Sequence, residues 1–120
     1  MIGVMNDNYL AYVRVSSYEQ SQRNISIPSQ IDQIKHYAKT NSISIKKIYQ
    51  EEHSAFKHNR PVFSAMLKEL ENASDVQGVI VFKFDRISRN LDDFMRIDSI
   101  IRKKNMEIVS VTEPMLNSYL

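Results

Sequence analysis

The chain has 120 residues, a formal net charge of +2, 42% hydrophobic residues and no cysteine. That is enough for one small domain with its own core, but it provides no disulfides and no thiolate metal sites. No apolar run approaches the roughly 20 residues of a membrane span, and the first residues carry no signal-peptide pattern, so a cytoplasmic protein without membrane contact is expected. The small positive charge does not by itself call for nucleic acid.

In chain order, residues 1–8 read as a flexible start, 9–114 as the domain, and 115–120 as the beginning of a linker to further C-terminal elements. Tyr9–Val15 is a short run of β-formers. Ile27, Ile31, Ile34 and Ala38 repeat at helical spacing, with Ser26 as N-cap and Pro28 in the first turn. Ile43, Ile45 and Ile48 predict a half-buried strand over Ile43–Tyr49. Pro61 opens a helix whose inner face is Phe63, Met66, Leu67 and Leu70. Val76–Phe84 is the most strand-like run and predicts a long central strand covered on both faces. A helix follows over Leu91–Lys104, with Leu91, Phe94, Ile97 and Ile101 inward and Arg102–Lys104 in its last turn. Met106–Val111 is the last strand. This alternation predicts an α/β fold: a mostly parallel four- to five-stranded sheet with helices on both faces.

Two stretches carry chemistry. Tyr12–Ser17 places Arg14 and Ser16 two residues apart at the end of the first strand, where alternate side chains share a face. Asp85–Asn90 places Asp85, Arg86 and Arg89 where the third strand passes into its helix. Ligands of open parallel sheets bind beyond the carboxyl ends of the strands. If strands one and three are neighbours, these five side chains meet there. A hydroxyl among guanidiniums suits attack on a phosphodiester, because arginines draw in the anion and stabilise the extra charge of the pentacoordinate state. Residue chemistry alone does not choose between Ser16 and Ser17.

The segments YVRVSSYEQ, SIPSQ, HSAFKHNRP, VFKFDRISRN and VSVTE together resemble the catalytic domain of serine site-specific recombinases, over about Tyr9–Pro114. The SIPSQ form of Ser26–Gln30 is closer to the large serine recombinases. The resemblance implies a resolvase-like fold with Ser16 as nucleophile. It implies that Arg14, Arg86 and Arg89 bind the phosphate and stabilise the transition state. Arg60 would be a further active-site, DNA-binding arginine on a mobile loop. Gln20 and Asp85 would be supporting polar positions. Ser54 matches a loop serine, although Ala55 stands where many relatives have glycine. The implied reaction forms a 5′-phosphoseryl link and a free 3′-hydroxyl, then exchanges and religates strands. Its partner is DNA. The full-length protein would act as a dimer on each site and as a synaptic homotetramer, while this fragment alone would be monomeric or weakly dimeric.

No cofactor and no metal is expected. One phosphate ester is exchanged for another, so religation needs no external energy source. His36, His53 and His58 have no common zinc spacing, and His36 is expected to face solvent. Met66 and Met95 are expected to fill core gaps, and Tyr12 to pack. Each motif alone has an ordinary reading: a turn serine, a surface Asp–Arg pair, a solvated helix arginine. Their conjunction carries the argument. The rivals are a non-catalytic resolvase-fold scaffold for DNA synapsis or protein interaction, and a receiver- or flavodoxin-like binding module. The binding module would want an acidic pocket or a hydroxyl-rich phosphate loop where Arg14 stands.

Overall fold

A computed structural model of the chain describes residues 7–16, 25–52, 60–87 and 90–114. Its elements are β1 (Asp7–Val15), α1 (Ile27–Thr40), β2 (Ile43–Glu52), α2 (Pro61–Asn72), β3 (Gly78–Val81), α3 (Leu91–Lys103) and β4 (Glu107–Ser110), with a 3-10 turn at Phe84–Arg86. The four described strands pair in the order β2-β1-β3-β4, every pair parallel. β1 and β3 are therefore neighbours, which brings the ends of both chemistry-bearing strands to one edge.

The alternation of β1 feeds two cores. Tyr9, Ala11 and Val13 join Ile34, Ile80 and Val109 on the face covered by α1. Leu10 and Tyr12 join Phe63, Met66, Leu67, Leu70, Val79, Ile97 and Ile101 on the face covered by α2 and α3. Helices thus lie on both faces, as the βα alternation predicts. Gly78 sits where β3 and β4 touch: a Cβ there would lie 2.0 Å from the Glu107 carbonyl oxygen.

The helix over 27–40 starts as expected, with the Ser26 hydroxyl accepting from the Ser29 amide. β2 is longer than expected. The pairing register slips between Tyr9 and Leu10, so that Lys46 is the extra residue between Ile45 and Lys47. This irregularity explains why the isoleucines step from 45 to 48: it inverts the alternation and turns Tyr49 and Glu51 inward.

β3 is shorter than the apolar run 76–84 predicts. After Val81 the chain bends, because Thr112 Oγ1 and the Thr112 amide both donate to the Phe82 carbonyl while Glu113 Oε1 accepts from the Phe84 amide. Polar groups following β4 therefore end the strand. α3 also departs from its predicted inner face. Leu91 and Phe94 are exposed, as is Met95, and the buried stripe is Ile97, Ile100 and Ile101. The first turn of α3 instead turns Asp93 inward, to Arg60, and leaves Leu91 largely exposed. Met66 is buried and His36 exposed, as expected. Lys104 is not merely a solvated helix end, since its Nζ donates to the carbonyls of Leu70, Glu71 and Ala73 at the end of α2.

Candidate active site

Arg14 is the penultimate residue of β1 and, despite its charge, is 5% exposed. Its side chain lies on the α2/α3 face, as alternation from Leu10 and Tyr12 requires. Nε donates to the Arg86 carbonyl at 3.2 Å and Nη2 to the Asp85 carbonyl at 2.9 Å. Arg86 answers in kind, its Nη1 donating to the Arg14 carbonyl at 2.9 Å. The ends of β1 and β3 are thus stitched together by their own arginines.

Asp85 and Arg86 form a side-on pair, Nε to Oδ1 at 2.8 Å and Nη2 to Oδ2 at 3.3 Å. The Arg86 side chain is buried while that of Asp85 is mostly exposed. Asp85 therefore holds the Arg86 guanidinium in place. Ser16 is the first residue after β1 and is half-buried. Arg14, Ser16, Asp85 and Arg86 thus all lie at the carboxyl ends of β1 and β3. Arg89, Gln20 and Ser54 lie outside the described residues, as does Ser17.

Arg60 comes from a third direction. It stands at the N-cap position of α2 and is 5% exposed; the residues 53–59 of the loop that the resemblance implies lie outside the described residues. Nη1 donates to the Ile87 carbonyl at 2.8 Å and to Asp93 Oδ2 at 2.6 Å; Nη2 donates to the Tyr12 hydroxyl and to the Arg86 carbonyl, each at 2.9 Å. These bonds occupy all the Nη hydrogens of a guanidinium. Nε is buried without a hydrogen-bond partner among the described residues, and Glu51 Oε1 is 4.0 Å from it. The cation lies 4.1 Å from the centre of the Phe63 ring and 5.5 Å from that of Tyr12.

Three polar residues that sequence reasoning passed over complete the arrangement. Glu51 is 4% exposed. It accepts from the Tyr12 hydroxyl at 2.5 Å and from the amides of Val62 and Phe63 at 2.9 and 3.1 Å. It therefore caps α2, whose N-cap residue makes no side-chain cap bond of its own. Burial pushes the Tyr12 phenol well above its ordinary range, against the opposing charge of Arg60. The hydroxyl accordingly stays protonated and donates to Glu51.

Gln30, fully buried on α1, receives the Arg14 amide at 3.4 Å and donates to the Arg14 and Ile25 carbonyls at 3.0 and 2.7 Å. Asp93, in the first turn of α3, carries the ion pair to Arg60. The signals were present: Glu51 shares the alternation of Tyr49, and Gln30 lies one turn before Ile34. Polar residues at such positions are ordinarily read as surface. Among the described residues, no group of three or more His, Cys, Asp or Glu is placed to hold a metal ion. No helix there is long and apolar enough to cross a membrane.

The arrangement is chemically specific. Three guanidiniums gather at the sheet edge where β1 ends and half-buried Ser16 follows it, and the arginines are held by carbonyls and carboxylates instead of being dispersed in solvent. Guanidiniums fixed in this way concentrate positive charge where the strands end, the electrostatic setting that favours an anion such as a phosphate.

The sequence matches the family described as Resolvase, N terminal domain, over residues 9–119. It is 32% identical over 109 residues to a protein named Resolvase from Clostridium perfringens, covering 91% of this chain and 51% of that one. It is 28% identical over 102 residues to the Transposon Tn917 resolvase of Enterococcus faecalis, covering 85% and 48%. The chain spans about half the length of these curated relatives. The fold superposes on the N-terminal catalytic domain of TP901-1 integrase with a TM-score of 0.77 at 27% identity, covering 90% of this chain and 80% of that one. With a parallel β2-β1-β3-β4 sheet, arginines gathered at its carboxyl edge and a match that runs almost from end to end, the chain belongs to the resolvase N-terminal domain family.

Proposed function

We propose that this chain is the catalytic domain of a site-specific DNA recombinase in which Ser16 is the nucleophile. Ser16 Oγ attacks the phosphorus of a DNA phosphodiester and releases its proton to water as the P–O3′ bond breaks, and the departing O3′ takes up a proton from water. The products are a 5′-phosphoseryl link and a free 3′-hydroxyl. Religation is the reverse attack by a 3′-hydroxyl, with Ser16 as leaving group. The observation that carries the reading is the convergence of Arg14, Arg60 and Arg86 at the end of the strand that Ser16 immediately follows.

Arg86, with Arg89 three residues on, is the phosphate ligand and transition-state donor in this reading. Arg14 is the second cation, and Asp85 holds Arg86 in place. Gln20 and Ser54 are supporting positions. A transition-state donor of this kind is worth ~10²–10³ in rate. Arginine is a poor acid or base, with a pKa above about 12, so the site works chiefly by positioning and electrostatics. The substrate is DNA. The complete protein works as a dimer on each site and a tetramer in synapsis, and the domain alone is a monomer or weak dimer that recombines nothing. Relatives of about twice the length support a division of labour between this domain and DNA-binding parts elsewhere.

The test incubates the complete protein with its recombination site and resolves the products on a denaturing gel. Covalent attachment to 5′ DNA ends in wild type, lost in Ser16→Ala and kept in Ser17→Ala, is the expected result. An adduct that depends on Ser17 refutes the nucleophile. No adduct on a site that the protein demonstrably binds favours the scaffold reading. A stable tetramer formed by the domain alone overturns the proposed division of labour.

A further inference from the structure

We infer that Asp93 is a positioning residue that acts on the reaction through Arg60. This deepens the proposed function and rests on it. Asp93 is the third residue of α3, and its amide donates to Asn90 Oδ1 at 2.9 Å, which fixes the first turn of the helix. A carboxylate there is favoured by the helix dipole. Its side chain is only 13% exposed. Oδ2 takes the Arg60 Nη1 bond at 2.6 Å, while Oδ1 lies 3.8 Å from Arg96 Nη1. Arg96 in turn donates to Ser64 Oγ on α2 at 3.0 Å. Asp93 thus ties the start of α3 to the start of α2 through two arginines.

The consequence for chemistry lies in what Arg60 does with its remaining hydrogens. They hold the carbonyls of Arg86 and Ile87 at 2.9 and 2.8 Å. Those carbonyls belong to the segment that carries Asp85 and Arg86, the same segment that leads into α3. The connection is therefore closed on itself: the loop leaves β3, enters α3, and is pinned back through Asp93 and Arg60 to its own backbone. Arg60 is buried, and its other carboxylate neighbour is already committed. Glu51 accepts from Tyr12, Val62 and Phe63 and stays 4.0 Å from Arg60 Nε. Asp93 is the carboxylate in direct hydrogen-bond contact with that guanidinium. Without its charge the guanidinium is left poorly compensated and has less reason to hold the loop carbonyls.

The test compares wild type, Asp93→Asn, Asp93→Glu and Ser16→Ala in the complete protein, at saturating DNA and well below the melting temperature. Asp93→Asn is expected to slow adduct formation by ~10–100-fold, the scale of a small misplacement of a reacting group. Its DNA affinity should stay within about twofold, because the loss falls on rate and not on uniform binding. Asp93→Glu should recover much of the rate. A wild-type rate in Asp93→Asn overturns the inference. So does equal impairment of Asn and Glu variants in step with a lowered Tm, which would mark Asp93 as packing alone.

The second readout needs no DNA: in NMR spectra of the 120-residue chain, the Arg60 Nη hydrogens should exchange with solvent faster in Asp93→Asn than in wild type. Unchanged exchange overturns the inference. If wild type makes no Ser16-dependent adduct yet the Arg60 exchange responds to Asp93→Asn, the proposed reaction has failed while the Asp93–Arg60 coupling stands.

Discussion

The two faces of the sheet are made from one strand and put to different uses. The odd residues of β1 enter an aliphatic core under α1, where Ile34, Ile80 and Val109 close over Ala11 and Val13. The even residues run from Leu10 and Tyr12 to Arg14, so the face under α2 and α3 begins as core and ends as a charged network. At that end Tyr12, Glu51, Arg60 and Asp93 are buried or nearly so and bonded to one another. Burying ions is costly unless each is paired. The α1 face avoids that cost and contributes the uncharged Gln30, which fixes the Arg14 backbone. The difference teaches that one face is given to packing, while the other, which also holds the larger apolar cluster, turns its end to chemistry. The polar face spends part of its burial on aiming arginines.

The sharpest way to break this comparison is to remove charge from the polar face. Glu51→Ala takes away the acceptor of Tyr12 and of two α2 amides, and leaves Arg60 with less countercharge. Breaking a buried pair in this way costs roughly 3–5 kcal/mol, to be read from urea unfolding of the 120-residue chain. A loss below 1 kcal/mol would mean that water reaches the network freely.

On the other face, Ile34→Ala should cost roughly 2–5 kcal/mol of stability through its cavity. It should leave the adduct rate unchanged in the complete protein at temperatures where that protein stays folded. A rate loss there would show that the faces are not separable.

The smallest effect concerns Tyr49, whose hydroxyl donates to Glu69. Burial, with Glu69 adding to it, pushes this phenol up to about 12. The folded state therefore disfavours the phenolate relative to the unfolded chain. The stability linked to Tyr49 is intact below its unfolded pKa near 10 and declines as the pH rises towards 12. Tyr49→Phe should flatten the alkaline fall of the urea midpoint between those values. An unchanged slope would assign that fall to other groups, such as Tyr12.

Much of this was legible in the sequence because hydrophobic period follows burial directly. β1 and the inner face of α2 follow from apolar spacing, whereas the pairing of strands one and three is an assumption that the structure bears out. The end of β3 was not legible, because a nine-residue apolar run says nothing of the Thr112 and Glu113 groups that bend it after Val81. Leu91 and Phe94 fit the helical template yet are exposed, because the first turn of α3 turns the charged Asp93 inward, which periodicity does not report. Arg14, Asp85 and Arg86 were found because their residue types suit phosphate chemistry. Glu51, Gln30 and Asp93 were missed because buried acids and amides have the same letters as surface ones. Only tertiary contacts tell them apart.

The most direct test of the central claim is to identify the atom joined to DNA. The complete protein is trapped on its recombination site, digested with nuclease and protease, and the nucleotide-bearing peptide is sequenced by mass spectrometry. A nucleotide linked through its 5′ phosphate to Ser16 is the predicted result. Attachment at Ser17, attachment through a 3′ phosphate, or cleavage with no peptide-linked nucleotide would contradict it.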